Sequence, residues 1–153
     1  MNVAPDCPRC VPDCPGLSGV GTIVLGVVNA YELYALPCLL RQFLRGSATV
    51  NVSCTGLLFL GATYEVRLGG GQSGNINARK MQQASSGHEL GYQIYLDNGQ
   101  VWGNGVQGST INDFFLLGVF ARNRNHSITG TIPANQQVNS GNYSDAVTMT
   151  VIW

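Results

Sequence analysis

The stretch Leu90-Gly-Tyr92-Gln-Ile94-Tyr-Leu96-Asp97-Asn98-Gly99-Gln-Val-Trp102-Gly103 decides the fold class. Leu90, Tyr92, Ile94 and Leu96 recur at every second position, which sets them on one face of a strand. Asp97-Asn98-Gly99 then signals a tight turn, because Asp and Asn bond their own backbone and Gly accepts positive φ. Residues 100–103 return the chain. Alternation, turn and return describe an antiparallel hairpin.

The same text continues on both sides. Upstream, residues 47–54 alternate, with Ala48, Val50, Val52 and Cys54 on one face. A second strand lies within residues 57–68, with Tyr64, Val66 and Leu68 to one side. Gly69-Gly-Gly-Gln-Ser-Gly74 reads as a loop, and Arg79-Lys-Met81 opens a short strand. Downstream, residues 114–120 are a continuous apolar run, the pattern of a strand buried on both faces. Residues 127–132 form another strand, closed by Pro133. A turn at 139–142 leads into a final strand over 143–153. Strands separated by turn signals, with no amphipathic helix between them, predict an all-β antiparallel sandwich.

Residues 1–45 read differently: an irregular Cys/Pro-rich head, then apolar first strands. Residues 46–153 carry the regular sandwich text, and no linker or internal repeat divides the chain. With 153 residues, one domain is the expected whole. Residues 17–40 are largely apolar and long enough to span a bilayer. Their glycines, Asn29 and Pro37 favour buried strands over a membrane helix. Residues 1–14 lack the basic start and apolar continuation of a secretory signal, which fits a mature chain given without one.

Eight basic and eight acidic residues cancel, and only 10% of residues are charged. An average soluble domain has roughly 25%. Weak charge with abundant Gly, Asn and Thr suits an extracellular β protein and gives no electrostatic footprint for nucleic acid. The small basic cluster Arg122-Asn-Arg124 does not change this. Five cysteines, Cys7, Cys10, Cys14, Cys38 and Cys54, leave at least one unpaired or bridging between chains. Oxidised pairing suits an envelope or secreted protein. Cys7-Pro-Arg-Cys10 with Cys14 also invites zinc, but a structural site needs four ligands. The expectation is no metal and no cofactor.

Five pieces occur in a telling order: Arg79-Lys-Met81, residues 90–96, Val101-Trp-Gly-Asn-Gly105, Ile128-Thr-Gly-Thr-Ile-Pro133 and residues 140–151. In that order they resemble the spore coat protein U family, which includes the pilins of archaic chaperone–usher fibres. The resemblance covers residues 46–153. The head departs from it, as a divergent first strand, an insertion or a shifted reading frame would.

The resemblance implies an immunoglobulin-like sandwich lacking its last strand. A periplasmic chaperone would fill the gap, and a neighbouring pilin subunit's N-terminal segment would then replace it at the outer-membrane usher. Text that stops after Val147-Thr-Met-Thr-Val-Ile152 agrees with such a sandwich. Val147, Met149 and Val151 share a face. The resemblance makes them walls of the acceptor groove, and the plain alternative makes them ordinary core. It also implies an oxidised Cys54, paired upstream with Cys14 in preference to Cys38.

The implied function is a structural subunit of a secreted surface fibre that passes through the periplasm to the cell surface and supports adhesion and biofilm formation. A fibre-tip adhesin domain binding a surface or glycan, for which residues 114–117 offer an apolar loop, is one alternative. A spore coat component is another.

An enzyme is not expected. His88 and His126 stand isolated in Gly/Ser/Asn loops and read as surface residues. Asp145 reads as a turn or hydrogen-bonding residue, and Trp102 and Tyr143 as core anchors. Gly69–Gly74 lacks the Gly-Lys-Ser/Thr ending of a phosphate loop. Asn51-Val-Ser and Asn125-His-Ser match the glycosylation triplet, which is short enough to arise by chance.

Overall fold

A computed structural model of the chain describes residues 20–25, 44–54, 62–115, 122–138 and 141–153. Among these residues nine strands form: β1 (Val20–Leu25), β2 (Leu44–Cys54), β3 (Ala62–Leu68), β4 (Arg79–Gln83), β5 (Glu89–Leu96), β6 (Ile111–Phe115), β7 (Arg122–Ile132), β8 (Tyr143–Ser144) and β9 (Val147–Ile152). Two short 3-10 turns, Gly71–Ser73 and Ile76–Ala78, precede β4.

The strands make two antiparallel sheets. One has the order β1-β9-β3-β6 and the other β2-β7-β5-β4-β8. The all-β antiparallel sandwich expected from the alternation is therefore the observed class. Alternation also explains the core. Val66 and Leu68 of β3, with Val147 and Met149 of β9, face Leu90, Tyr92 and Leu96 of β5 and Val50 and Val52 of β2. Trp102 is fully buried, and its indole Nε1 donates to Val66 O at 3.1 Å.

The hairpin at the centre of the sequence reading forms through its predicted turn. Gly99 takes a φ of 78°, and Leu96 N and Gln100 O bond at 2.9 Å. The return leg is no regular strand, however. Val101 and Trp102 make only isolated bridges, to Tyr95 and Ser109. Gly103 N donates to Ser109 O, so the chain turns away before a ladder can grow.

Three further expectations need correction. The apolar run 114–120 does not begin a strand buried on both faces. The strand β6 starts earlier, at Ile111, because Asn112 and Asp113 pair with Glu65 and Tyr64 of β3. Within it Phe115 is buried and Phe114 is 49% exposed; residues 116–120 lie outside the described set. The final strand over 143–153 is two strands in different sheets, β8 and β9, broken at Asp145-Ala146. Lastly, His126 lies not in a loop but in β7, opposite Val50 of β2.

The β1 strand comes from the apolar head. Among the described residues it pairs only with β9, in the register Thr22↔Thr150, Ile23↔Met149 and Val24↔Thr148. No helix among the described residues is long and apolar enough to cross a membrane.

Candidate functional site

The last strand is the centre of the predicted site. It sits between β1 and β3, pairing with β3 as Val66↔Val151 and Leu68↔Met149. Val147 and Met149 are buried and Val151 is partly buried, while Thr148 is exposed. The three expected groove residues therefore share one face and pack on the core. Of the expected disulfide, Cys14 lies outside the described residues, as do Cys7, Cys10 and Cys38. Cys54 closes β2 opposite Arg122, and its side chain is outside the described set.

A buried polar hub fixes the entry to β9. Gln72 N donates to Asp145 Oδ1 at 2.8 Å, Ala146 N donates to the same oxygen at 2.8 Å, and the Tyr92 hydroxyl donates to Oδ2. Asp145 is 3% exposed. The carboxylate thereby ties the loop before β4, a core tyrosine and the first turn of chain before β9. Gly71 has a φ of 66°, and a Cβ there would fall 1.9 Å from Asp145 Oδ2. Only glycine lets the loop come so close. Burial first, and the Asp145 hydrogen bond second, push the Tyr92 hydroxyl far above the ordinary tyrosine range.

Arg79 completes the hub. Its Nε and Nη2 donate to Gly69 O at 3.0 and 2.8 Å, Nη2 also reaches Trp102 O, and Nη1 donates to Gln93 Oε1. Burial lowers its pKa, with Tyr92 and Asp145 pulling the other way. A buried guanidinium with every arm engaged is a clamp on the chain end of β3.

A second polar cluster bridges the sheets at the other end. The Tyr64 hydroxyl lies 2.6 Å from His126 Nε2 and 3.3 Å from Asp113 Oδ2. Arg124 Nε stands 3.5 Å from Asp113. Tyr64 also stacks on Phe115, with ring centroids 5.1 Å apart. Burial raises the Tyr64 hydroxyl's pKa and lowers that of His126. A tyrosine held protonated is a poor nucleophile, so the cluster reads as a structural tie between β3, β6 and β7.

Sequence reasoning missed this cluster because its members come from three distant strands. It placed Asp145 correctly as a hydrogen-bonding residue but could not name its partners. Asn51 Nδ2 and Asn125 Oδ1, of the two glycosylation triplets, bond each other at 2.6 Å across β2 and β7. Among the described residues no group of three or more His, Cys, Asp or Glu could hold a metal ion.

The spore coat protein U domain model matches residues 9–150. The chain belongs to the spore coat protein U domain family. Its match takes in the apolar head that the motif reading had left out. The chain is also 30% identical to Protein U of Myxococcus xanthus over 142 residues, covering 88% of this chain and 73% of that one. Among solved structures, a Burkholderia pseudomallei antigen and type I fimbria protein aligns with a TM-score of 0.48 at 15% identity. That alignment covers 90% of this chain and all of the other.

Proposed function

We propose that this chain is a structural subunit of a secreted surface fibre of the archaic chaperone–usher kind, assembled by donor-strand complementation. The observation that carries the reading is the place of β1. Among the described residues it is an edge strand held by a single neighbour, β9, and it comes from the N-terminal part of the chain. The core-facing side of β9 carries Val147, Met149 and Val151. In the isolated chain β1 occupies this edge. In a fibre the equivalent strand of a neighbouring subunit takes it, keeping the backbone pairs along β9. A periplasmic chaperone and an outer-membrane usher would hold the edge in transit to the cell surface. Adhesion and biofilm support follow from such a fibre.

The register supplies a test. Thr22 and Thr150 are direct partners. Subunits carrying Thr22→Cys are mixed with subunits carrying Thr150→Cys during assembly, and the fibres are resolved without reductant. Exchange of β1 between copies predicts disulfide-linked pairs containing one of each. A Thr22→Cys/Thr150→Cys double variant that crosslinks only within one chain, together with no mixed pairs, would sink the proposal.

A further inference from the structure

The connection from β5 to β6 holds two Asn-Gly pairs, Asn98-Gly99 and Asn104-Gly105, and both are exposed. Such a pair can react with itself, because a glycine nitrogen has no side chain beside it to block its approach to the asparagine Cγ. The two pairs have the same composition and the same access to water. Their surroundings therefore decide which of them reacts.

Each asparagine folds onto its own backbone. Gln100 N donates to Asn98 Oδ1 at 3.0 Å. Val106 N and Gln107 N donate to Asn104 Oδ1 at 3.0 and 2.9 Å. A turn of this kind lays the side chain over the following peptide and keeps Cγ near the next nitrogen, which is the arrangement attack needs. Attack on Cγ puts negative charge on Oδ1, and N–H groups already aimed at that oxygen stabilise it. Asn104 has two such donors and Asn98 has one.

The attacking nitrogens differ more. Gly99 N donates to Leu96 O at 2.9 Å, so its attack first breaks the bond that closes the turn. Gly105 N makes no hydrogen bond among the described residues. The loop is instead held from its flanks: Asn104 N donates to Gln107 O at 3.0 Å, and Gly103 O accepts from Leu68 N at 2.8 Å. At its tip Val106 is 92% exposed. A polarised carbonyl carbon and an unengaged nitrogen thus stand next to each other on an anchored frame.

We infer that Asn104 is a site of spontaneous modification, converted through a cyclic imide with Gly105 to aspartate and isoaspartate, while the fold spares Asn98. Gly105 N gives its proton to hydroxide and bonds to Asn104 Cγ. The Cγ–Nδ2 bond breaks, and Nδ2 takes a proton from water and leaves as ammonia. Water then opens the imide. Cleavage between Cγ and Gly105 N gives aspartate. Cleavage between the Asn104 backbone carbonyl carbon and Gly105 N gives isoaspartate, with the chain running through Cγ. Nothing is oxidised or reduced. The formal charges of the chain cancel, so each conversion leaves it anionic. The isoaspartate form also adds Cβ to the main chain of the loop. This chemistry belongs to the loop itself and does not depend on how subunits assemble.

The unaltered protein supplies the test and its own control. The purified full chain is incubated in mildly alkaline buffer, folded in one arm and in concentrated urea in the other. Peptide mapping by mass spectrometry follows both asparagines, with fragmentation that separates aspartate from isoaspartate. In the folded arm Asn104 should convert about tenfold faster than Asn98, the order expected when one backbone hydrogen bond must break before attack. In urea the two rates should converge. Isoelectric focusing of the aged folded chain should show a new acidic band that runs with the Asn104→Asp variant. Conversion of Asn98 at an equal or higher rate in the folded arm overturns the inference. So does an Asn104 that reacts only in urea, since the fold would then protect it. A ratio of rates that is the same in both arms also overturns it, because the preference would then come from the sequence and not from this geometry.

Discussion

Asp145 shows how much one side chain can hold. It accepts from two backbone N–H groups and from the Tyr92 hydroxyl while almost fully buried. Asp145→Ala leaves all three donors without partners. Each orphaned buried donor costs about 1–3 kcal/mol, so a loss of about 3 kcal/mol or more is expected in denaturant unfolding. Tyr92→Phe, which removes one donor and keeps the ring, should lose clearly less. Equal losses from the two would mean that the carboxylate is not the hub. At the opposite end, His126 makes a pH-dependent contribution. Burial holds its pKa below 6.5 and Arg124 adds to this, while Asp113 and Asp97 oppose and are outweighed. The fold therefore favours the neutral ring. Its contribution is complete above 6.5 and is lost as pH falls through the depressed folded value. Melting temperature should drop between about pH 7 and pH 5, and His126→Gln should flatten that drop. An unchanged acid slope in the variant would remove His126 from the account. Neither role was legible in the sequence beyond a guess at Asp145. The partners lie on other strands, and local text does not say which strands meet.

Strands were legible where one face meets the core. Residues 90–96 and 47–54 alternate, and both are strands with buried alternate positions. Reading failed where local hydrophobicity was taken without the partner. Phe114 sits in a run of apolar residues, yet register with β3 turns it outward. The segment 143–153 is written in continuous β-favouring residues, and only the long-range bonds of Asp145 reveal the break that moves the chain between sheets. The strand β9 itself gives an element-scale prediction. Met149→Asp places a carboxylate against the core and the β1 edge, where an unpaired buried charge is strongly unfavourable. Thr148→Asp, on the exposed face, should be mild, and Thr150→Asp should resemble it. Fibre yield at equal periplasmic subunit levels should follow that alternation. Equal yields from all three variants would separate this strand from assembly.

The whole molecule is a sandwich whose edges differ in how they are held. Among the described residues of the four-stranded sheet, β9 and β3 are central, whereas β1 hangs on one neighbour. An edge strand of this kind is the part of a fold most easily traded between copies. A covalent tie elsewhere would have to tolerate that trade. The proposed Cys14–Cys54 disulfide does so only if it leaves residues 20–25 free to move as a unit, and non-reducing peptide mapping of periplasmic material checks it. Recovery of Cys54 as a free thiol would remove the tie. The purified chain alone is expected to self-associate as its concentration rises, because each released β1 can fill another subunit's edge. A matching periplasmic chaperone should convert the mixture into a one-to-one complex by occupying the β9 edge first. Sedimentation across a concentration series, with and without chaperone, reads both outcomes. A chain that stays monomeric at every concentration, unfolds cooperatively and ignores the chaperone would have a permanently closed β9 edge. Fibre growth through that edge would then be ruled out, whatever the family does elsewhere.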